Sequence, residues 1–379
     1  MKKFVALLLV LAIVLVGIVA YRTVWDDPAG EPSGTVQQPT VEPTASVKPS
    51  SEVTPSTEPS VEPTPTSSVE PGPGPSGEPQ KNTVRLGVIS GPTGMGAAKL
   101  LSDSEKGETL NRYEVSIAAD NTELVPALTN GEIDIATVAS NVALNLYNKT
   151  NGAVKIIALG TQGVLHILEG SGGTMVESLE DLAGETIYAV GQGANPEYIL
   201  RYLLEESGLD PDEDVEIVFA QPAEIQTKLI SGEIRYAMLP VPAATAAIIK
   251  GGGQIRGAID LTEAWEEVSG GSQLIMTAVV ARTEFIQQTP DAVNAFLKEY
   301  EASIAFVNAN VDEAAELIAG FGITPNAAIA KQAIPQCHLV YIDGRQMSRS
   351  ISDYFRVLYS VDPASVGGSL PDDAIYYVP

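Results

Sequence analysis

The sequence is poor in the residues that build disulfides and metal centres. Among its 379 residues there is one cysteine, Cys337, and there are two histidines, His166 and His338. A single cysteine excludes an internal disulfide and a CxxC motif, and this set is too small for a His/Cys zinc cluster. A hard-cation site built from carboxylates stays open at this stage. We expect no metal-binding residues and no cofactor.

Positive charge is also scarce. The chain carries 22 lysines and arginines against 48 aspartates and glutamates, which gives a net charge of −26. Proteins that bind nucleic acid contact its phosphates through clustered basic residues. The acidic excess therefore argues against a nucleic-acid partner, and it favours a soluble protein that anionic surfaces repel.

The sequence motifs of common enzymes are missing as well. The chain contains no G-x-S-x-G, no HExxH and no GxxxxGK[ST] motif. Gly191-Gln192-Gly193 lacks the third glycine that a dinucleotide-binding motif requires. We therefore predict no catalytic residues. Carboxylates are plentiful, and whether any two of them form a pair cannot be read from one sequence.

The first 25 residues have the composition of an export segment. Lys2 and Lys3 precede the apolar run Phe4–Ala20, which is the arrangement of a signal for export. Ile18 occupies the place of a lipobox cysteine, so lipidation there is excluded. The same bulky residue disfavours cleavage, and the run has the minimum length for spanning a bilayer. Residues 1–25 are predicted to be a retained membrane anchor, with a cleaved signal as the alternative.

Residues 26–82 form a tract rich in proline, serine, threonine and glutamate. Variants of Val-Glu-Pro-Thr recur in it, as at Val41–Thr44 and Val61–Thr64. Such a composition has too little apolar surface to offset the entropy lost on ordering, and its prolines favour extended conformations. We predict a disordered stalk that holds the rest of the chain away from a membrane. A tail without function is the alternative.

From residue 83 onward, apolar strand patterns alternate with helical patterns. Val84–Ile89, Tyr113–Ala118 and Ile133–Val138 have the pattern of buried strands, and Asn121–Asn130 that of a helix. This alternation predicts parallel strand pairing and the α/β class. Helical patterns dominate after residue 290, where we expect them to buttress one lobe.

The order of elements occurs twice. Residues 123–143 align with residues 224–244 at an offset of 101, with seven identities in 21 positions, and at an offset of 102 Gly91 falls on Gly193. We infer two α/β lobes of similar design; a chance resemblance is the alternative. Ligands of open α/β sheets bind beyond the carboxyl ends of the strands. The strand-to-helix loops of the two lobes are therefore the predicted wall of a cleft.

Three segments resemble a known family: Gly91-Pro92-Thr93, Asn130–Ala136 and Gly184–Tyr202. They are similar to solute-binding proteins of ABC importers, in particular to the group that includes binders of nitrate, taurine, alkanesulfonates and thiamine precursors. The resemblance implies the two-lobed type II periplasmic-binding-protein fold. In this fold each lobe is a mixed sheet flanked by helices, and the ligand cleft lies between the lobes.

The resemblance also implies boundaries. Lobe 1 would comprise residues 83–160 and 272–379, and lobe 2 residues 161–271, with crossovers near Gly160–Gly163 and Gly270–Gln273. One segment departs from the family. Where many relatives have a glutamate, this chain has valine in Leu239-Pro240-Val241-Pro242, so a carboxylate contact with the ligand is not implied there.

As to function, the resemblance implies an extracytoplasmic receptor at the cell surface. The predicted anchor would tether it to the membrane, and we expect a monomer. It would capture a small organic solute and deliver it to the permease and ATPase subunits of an ABC importer. Because a fold does not fix a function, two alternatives stay open: an enzyme on the same fold, such as a pyrimidine-precursor synthase, and a sensor that reports the ligand. None of the candidate loops carries arginine or lysine. This favours a neutral or heteroaromatic solute, while sulfonates stay open.

Thirteen residues of these loops and of the first crossover are predicted to contact the ligand. Glycines let backbone N–H groups approach a bound group closely, and helices that begin near residues 94 and 196 direct partial positive charge at the cleft. For each glycine, turning the chain is the alternative role. His166 alternates with apolar neighbours, which favours a buried imidazole over a ligand contact. The predicted ligand-binding residues are Ser90, Gly91, Pro92, Thr93, Ser140, Asn141, Thr161, Gln162, His166, Gln192, Gly193, Asn195 and Pro240.

Overall fold

A computed structural model describes residues 81–173 and 175–379. The predicted export segment, residues 1–25, and all of the predicted stalk except Lys81 and Asn82 lie outside these residues. Among the described helices, none combines the length and the hydropathy that crossing a membrane requires.

The described chain forms eleven strands and thirteen α-helices. The strands are β1 (Thr83–Ile89), β2 (Arg112–Ala118), β3 (Ile135–Ala139), β4 (Val154–Thr161), β5 (Leu165–Glu169), β6 (Thr186–Ala189), β7 (Glu216–Phe219), β8 (Tyr236–Pro240), β9 (Arg256–Asp260), β10 (Thr277–Arg282) and β11 (Leu339–Asp343). The helices are α1 (Pro92–Met95), α2 (Ala98–Glu105), α3 (Asn121–Thr129), α4 (Ser140–Lys149), α5 (Asn195–Glu206), α6 (Pro222–Ser231), α7 (Ala243–Gly251), α8 (Leu261–Val268), α9 (Thr283–Gln288), α10 (Pro290–Ala309), α11 (Val311–Gly320), α12 (Ala327–Ala333) and α13 (Gly344–Val361).

The strands form two mixed sheets. The first has the strand order β11-β4-β10-β3-β1-β2 and the second the order β7-β6-β8-β5-β9. In the first sheet β1 is parallel to β2 and β3, and in the second β6 is parallel to β7 and β8. An antiparallel strand extends each parallel set, β10 beside β3 and β5 beside β8. The predicted fold class, with two lobes that are each a mixed sheet flanked by helices, is confirmed.

The glycines that the internal repeat aligns have matching backbone conformations. Gly131 follows α3 with a φ of +77°, and Gly232 follows α6 with a φ of +74°. Gly91 after β1 and Gly193 after β6 have φ values of +83° and +69°. A positive φ is readily adopted only by glycine. The same turns therefore occur at equivalent places in the two lobes.

The apolar core covers both faces of the sheets and joins the lobes. Two large clusters of buried side chains each include residues from both sheets. In one of them Trp265 of α8, which is fully buried, contacts Tyr202 of α5 at a ring-centroid distance of 4.9 Å and Tyr354 of α13 at 5.5 Å. Because α13 packs on the first sheet and α8 on the second, these rings hold the two lobes together.

Candidate functional site

A cavity of about 280 Å³ lies between the two sheets, where the parallel strands end. Loops that follow β1, β2 and β3 form its wall on the first lobe, and loops that follow β6 and β8 form its wall on the second. The end of β4 and the beginnings of β5 and β10 complete it. The lining residues are Pro92, Thr93, Asn121, Ala139, Asn141, Val142, Thr161, Val164, Leu165, Gly191, Ala194, Asn195, Pro196, Pro240, Met276 and Thr277.

Six of the thirteen residues predicted from the sequence line this cavity, namely Pro92, Thr93, Asn141, Thr161, Asn195 and Pro240. They come from both lobes. In each sheet the carboxyl ends of the parallel strands meet at one edge, and the cavity lies between these two edges. Whether they contact a ligand stays a prediction.

Ser140 and Asn195 connect the lobes beside the cavity. The Asn195 amide, at the start of α5, donates from Nδ2 to Ser140 Oγ at the start of α4, with a distance of 3.4 Å. Ser140 is fully buried, and its own hydroxyl donates to the Ile275 carbonyl at 2.6 Å. Ser140 therefore stands behind the cavity wall. Asn195 is 2% exposed, and within the described residues its Oδ1 has no hydrogen-bond partner.

Two other predicted loop residues, Ser90 and Gly91, form backbone hydrogen bonds within the protein. The N–H of Gly91 donates to the Ile323 carbonyl at 2.8 Å, and that of Ser90 to the Ala118 carbonyl at 2.9 Å. Neither residue lines the cavity. Both contacts hold the loop after β1 in place, so these residues position Pro92 and Thr93.

In the second lobe, Gln192 and Gly193 are exposed to solvent. The N–H of Gly193 donates to the Glu197 Oε2 atom at 2.7 Å, a carboxylate one turn into α5. At the crossover, the N–H of Gln162 donates to the His338 carbonyl at 3.1 Å. The geometry therefore assigns these three residues to turns and to the crossover, away from the cavity.

His166 belongs to a cluster at the crossover instead of the cavity. Its Nδ1 lies 3.9 Å from Asp260 Oδ2, and Nε2 of His338 lies 3.7 Å from the same oxygen. Asp260 caps α8 by accepting from the Thr262 N–H at 2.8 Å. Both histidines of the chain thus flank one carboxylate. His166 and Asp260 belong to the second sheet, whereas His338 precedes β11 of the first.

The three groups of this cluster have shifted pKa values. Burial alone would raise the pKa of Asp260, but His338, His166 and the Thr262 amide outweigh it and lower the pKa to about 2. Pairing with Asp260 raises the pKa of His338 against the effect of burial. Burial lowers the pKa of His166, although Asp260 opposes this. At mildly acidic pH the cluster therefore favours an ionised Asp260 facing a protonated His338.

Two helices begin at the cavity without a side-chain cap. Ala139 precedes α4 and Ala194 precedes α5; both residues line the cavity, and neither can cap a helix with its side chain. The N–H groups of a first helical turn lack partners inside the helix and carry partial positive charge. Here the Ser140 N–H donates to the Met276 carbonyl, the Glu197 N–H donates to the Ala194 carbonyl, and Pro196 has no N–H. The backbone donors that remain for the cavity are those of Asn141, Val142 and Asn195.

The cavity wall contains no ionisable side chain. Its polar groups are the hydroxyls of three threonines and the amides of Asn121, Asn141 and Asn195, and the rest of the lining is apolar, proline or glycine. Over residues 81–173 and 175–379, no group of three or more His, Cys, Asp and Glu side chains is arranged to hold a metal ion. The arrangement suits the binding of a small molecule by apolar contact and neutral hydrogen bonds.

Sequence reasoning missed several lining residues. Asn121 follows β2 in a strand-to-helix loop, and the alternation of strands and helices already indicated that loop. Met276 and Thr277 enter the cavity only because β10 returns from the second lobe and inserts beside β3. No local pattern indicates a strand pairing over so long a separation.

A model of the NMT1-like family matches residues 77–319, which is more than half of the chain. A protein of Brucella abortus that is named as a binding protein is 24% identical over 197 residues. That match covers 52% of this chain and 58% of the relative, so the chain spans little more than half the length of the curated relatives it matches.

Two solved structures are similar over most of the described chain. An ABC transporter structure from Parabacteroides distasonis has a TM-score of 0.66 at 22% identity and covers 79% of this chain and 99% of that one. The periplasmic aliphatic sulphonate binding protein of Escherichia coli has a TM-score of 0.63 at 15% identity, with 79% and 93% covered. At such identities the likeness shows a shared fold. Together with the family match, it confirms the resemblance inferred from the sequence.

Proposed function

The chain belongs to the NMT1-like family, and on that premise we propose that it is the solute-binding receptor of an ABC importer. It captures a small organic molecule between its two lobes outside the cytoplasm and hands it to the permease and ATPase subunits. It turns over no substrate. Residues 1–25 export the chain and tether it to the membrane, and residues 26–82 act as the stalk.

The observation that supports this proposal is the cavity that both lobes enclose. Its wall combines Thr93 and Asn141 of the first lobe with Asn195 and Pro240 of the second. A ligand held by both lobes stabilises their closed arrangement, because only that arrangement supplies all its contacts. An importer that recognises the closed form can then distinguish loaded from empty receptor.

The crossovers between the lobes act as the hinge in this proposal. Only Gln162–Val164 separates β4 from β5, and residues 269–276 lead from α8 to β10. A few residues at such places can absorb the backbone rotation of a domain closure. The receptor is monomeric, since each chain carries a complete cleft.

A thermal-shift screen of the full chain over vitamins, pyrimidines, sulfonates and amino acids tests the proposal. A solute that binds only the folded chain adds about 2.7 kcal/mol at a hundred times its dissociation constant. We expect at least one solute to raise the melting temperature and to be recovered chemically unchanged. No stabilisation by any solute, or conversion of the solute into a product, would contradict the receptor assignment.

A matched pair of variants locates the binding site. Asn141 lines the cavity. Asn145, one turn further along α4, does not line it, and its side-chain amide donates to the Ala364 carbonyl at a distance of 3.2 Å. For the solute found in the screen, Asn141→Ala should lower the affinity about tenfold, or about 1.4 kcal/mol. Asn145→Ala should leave the affinity unchanged. Equal effects of the two substitutions would place the ligand elsewhere.

A further inference from the structure

We propose that the cavity selects an uncharged solute that carries a hydrogen-bond donor next to an acceptor, as a primary carboxamide or a lactam does. Carboxylates and sulfonates of the same size are rejected. This inference rests on the proposed function, because it concerns the ligand of the same cavity.

Charge is the first argument. No lining residue of the cavity carries an ionisable side chain, and the chain as a whole has a net charge of −26. An anion that leaves water for this cavity would meet the partial positive charge of two helix starts but no cationic side chain, and burial of a charge without a full counter-charge is unfavourable. The acidic surface repels anions before they reach the cavity. A neutral solute avoids both costs.

Asn195 supplies the argument for a donor on the ligand. Its side chain is almost fully buried at the cavity, and Oδ1 has no partner within the described residues. The nearby Ser140 hydroxyl cannot serve, because it directs its proton to the Ile275 carbonyl and accepts from Asn195 Nδ2. Buried acceptors are almost always paired in folded proteins. An N–H or O–H group of the ligand is the partner that completes this amide.

The helix ends supply the argument for an adjacent acceptor. Asn195 is itself the first residue of α5, and the uncapped beginning of α4 lines the same cavity. The backbone N–H groups of Asn141, Val142 and Asn195 have no partner among the described residues. With the Asn141 amide, they are available to a carbonyl oxygen of the ligand near Asn195. A carboxamide or a lactam presents N–H and C=O on neighbouring atoms and matches this pair. A carboxylate or a sulfonate offers acceptors only.

The rest of the lining determines the size and polarity of the remainder of the ligand. Val142, Val164, Leu165 and Met276 give the wall an apolar surface. The volume of about 280 Å³ lies just below the usual range of about 300 to 1,000 Å³ for ligand pockets. The solute should therefore be compact and apolar apart from its polar group.

Calorimetric titration of the full chain with matched probes tests the selectivity. The probes are benzamide, benzoate and benzenesulfonate, with δ-valerolactam against valerate as an aliphatic pair. We expect an amide or lactam to bind at least tenfold more tightly than the anions of its set. An anion that binds as tightly as its neutral counterpart overturns the inference, and so does the failure of both neutral probes to bind.

The outcomes separate this inference from the proposed function. If an anionic solute of the broad screen binds and Asn141→Ala weakens it, the receptor assignment stands and only the selectivity is wrong. If no solute of any charge binds, both the receptor assignment and the proposed selectivity are wrong.

Variants at Asn195 test the donor contact directly. Asn195→Ala should reduce the amide-to-carboxylate affinity ratio by tenfold or more, since the unpartnered acceptor is removed. Asn145→Ala should keep the ratio of the parent. Melting temperatures of the free variants show whether each remains folded. If Asn195→Ala is folded and keeps the full ratio, Oδ1 does not receive the ligand's donor.

Discussion

Replacing Asp260 with asparagine removes the carboxylate that faces both histidines of the chain. Asparagine is as good an N-cap as aspartate, so the first turn of α8 keeps its cap. What is lost is the charge that faces His338 across the two lobes at 3.7 Å and His166 at 3.9 Å. The substitution therefore isolates the electrostatic part of the cluster.

The magnitude follows from the pKa of Asp260, which is lowered from 3.8 to about 2. One pKa unit corresponds to about 1.4 kcal/mol, so the ionised carboxylate stabilises the folded chain by about 2 kcal/mol. Its side chain is 21% exposed, and the surroundings screen it only in part. We expect Asp260→Asn to lower the free energy of unfolding by that amount at mildly acidic pH.

The pH dependence has a definite sign. The pKa of Asp260 is lowered by folding, so its contribution is present above pH 3.8 and is lost as the pH falls toward about 2. The pKa of His338 is raised by folding. Its contribution is present below 6.5, the ordinary histidine value, and is lost as the pH rises through the folded pKa. His166, Glu263 and Glu266 also face the cluster. Burial lowers the pKa of His166, so this histidine stays neutral until the pH falls further. The two glutamates raise the pKa of His338 and so favour its protonated form.

Urea unfolding of the full chain at about pH 5.5, pH 8 and pH 3 measures these effects. The largest difference between parent and Asp260→Asn is expected at about pH 5.5, with smaller differences at the other two values. Asp120→Asn is the matched control, because Asp120 caps α3 through Thr122 without a cationic partner. It should change the free energy of unfolding by less than about 0.5 kcal/mol. If Asp260→Asn equals this control at pH 5.5, the charge pairing does not stabilise the chain.

Three further predictions concern single residues. A Cβ on Gly163 would lie 1.9 Å from Thr262 Oγ1, so Gly163→Ala should lower the melting temperature, whereas Gly257→Ala, in open space, should lower it much less. Burial raises the pKa of the fully buried Cys337 thiol; a thiol reagent at pH 8 should modify it only after urea is added, and rapid modification of the native chain would contradict this. Gly193 has a φ of +69° and no atom near its Cβ position, so Gly193→Ala should cost about 1 kcal/mol of stability and leave ligand affinity, measured by titration, unchanged.

Local patterns in the sequence predicted much of the fold. The spacing of apolar residues predicted β1 to β3 and α3, and the repeat predicted their counterparts in the second lobe. The two sheets agree with this prediction because parallel strands and their helices are encoded by contiguous stretches. Strands β4, β5, β9 and β11 were not predicted. Each is recognised as a strand only through neighbours that lie far away in the sequence.

The site could be predicted only as a set of loops. Topology places the carboxyl ends of the parallel strands together, and this was sufficient for Asn141 and Asn195. It could not show that Gly91 bonds to Ile323, or that His166 faces Asp260 and His338, because these contacts join residues about 90 to more than 200 positions apart. Which side of a loop faces the ligand depends on such long-range contacts.

The position of β10 imposes an order on folding. This strand lies between β3 and β4 in the first sheet, although more than 100 residues separate it from either in the sequence. All five strands of the second sheet, in contrast, lie within residues 165–260. A chain that emerges from its N-terminus can therefore complete the second sheet while the first still has a gap at its centre. The late arrival of β10 closes that gap and, with it, the wall of the cavity.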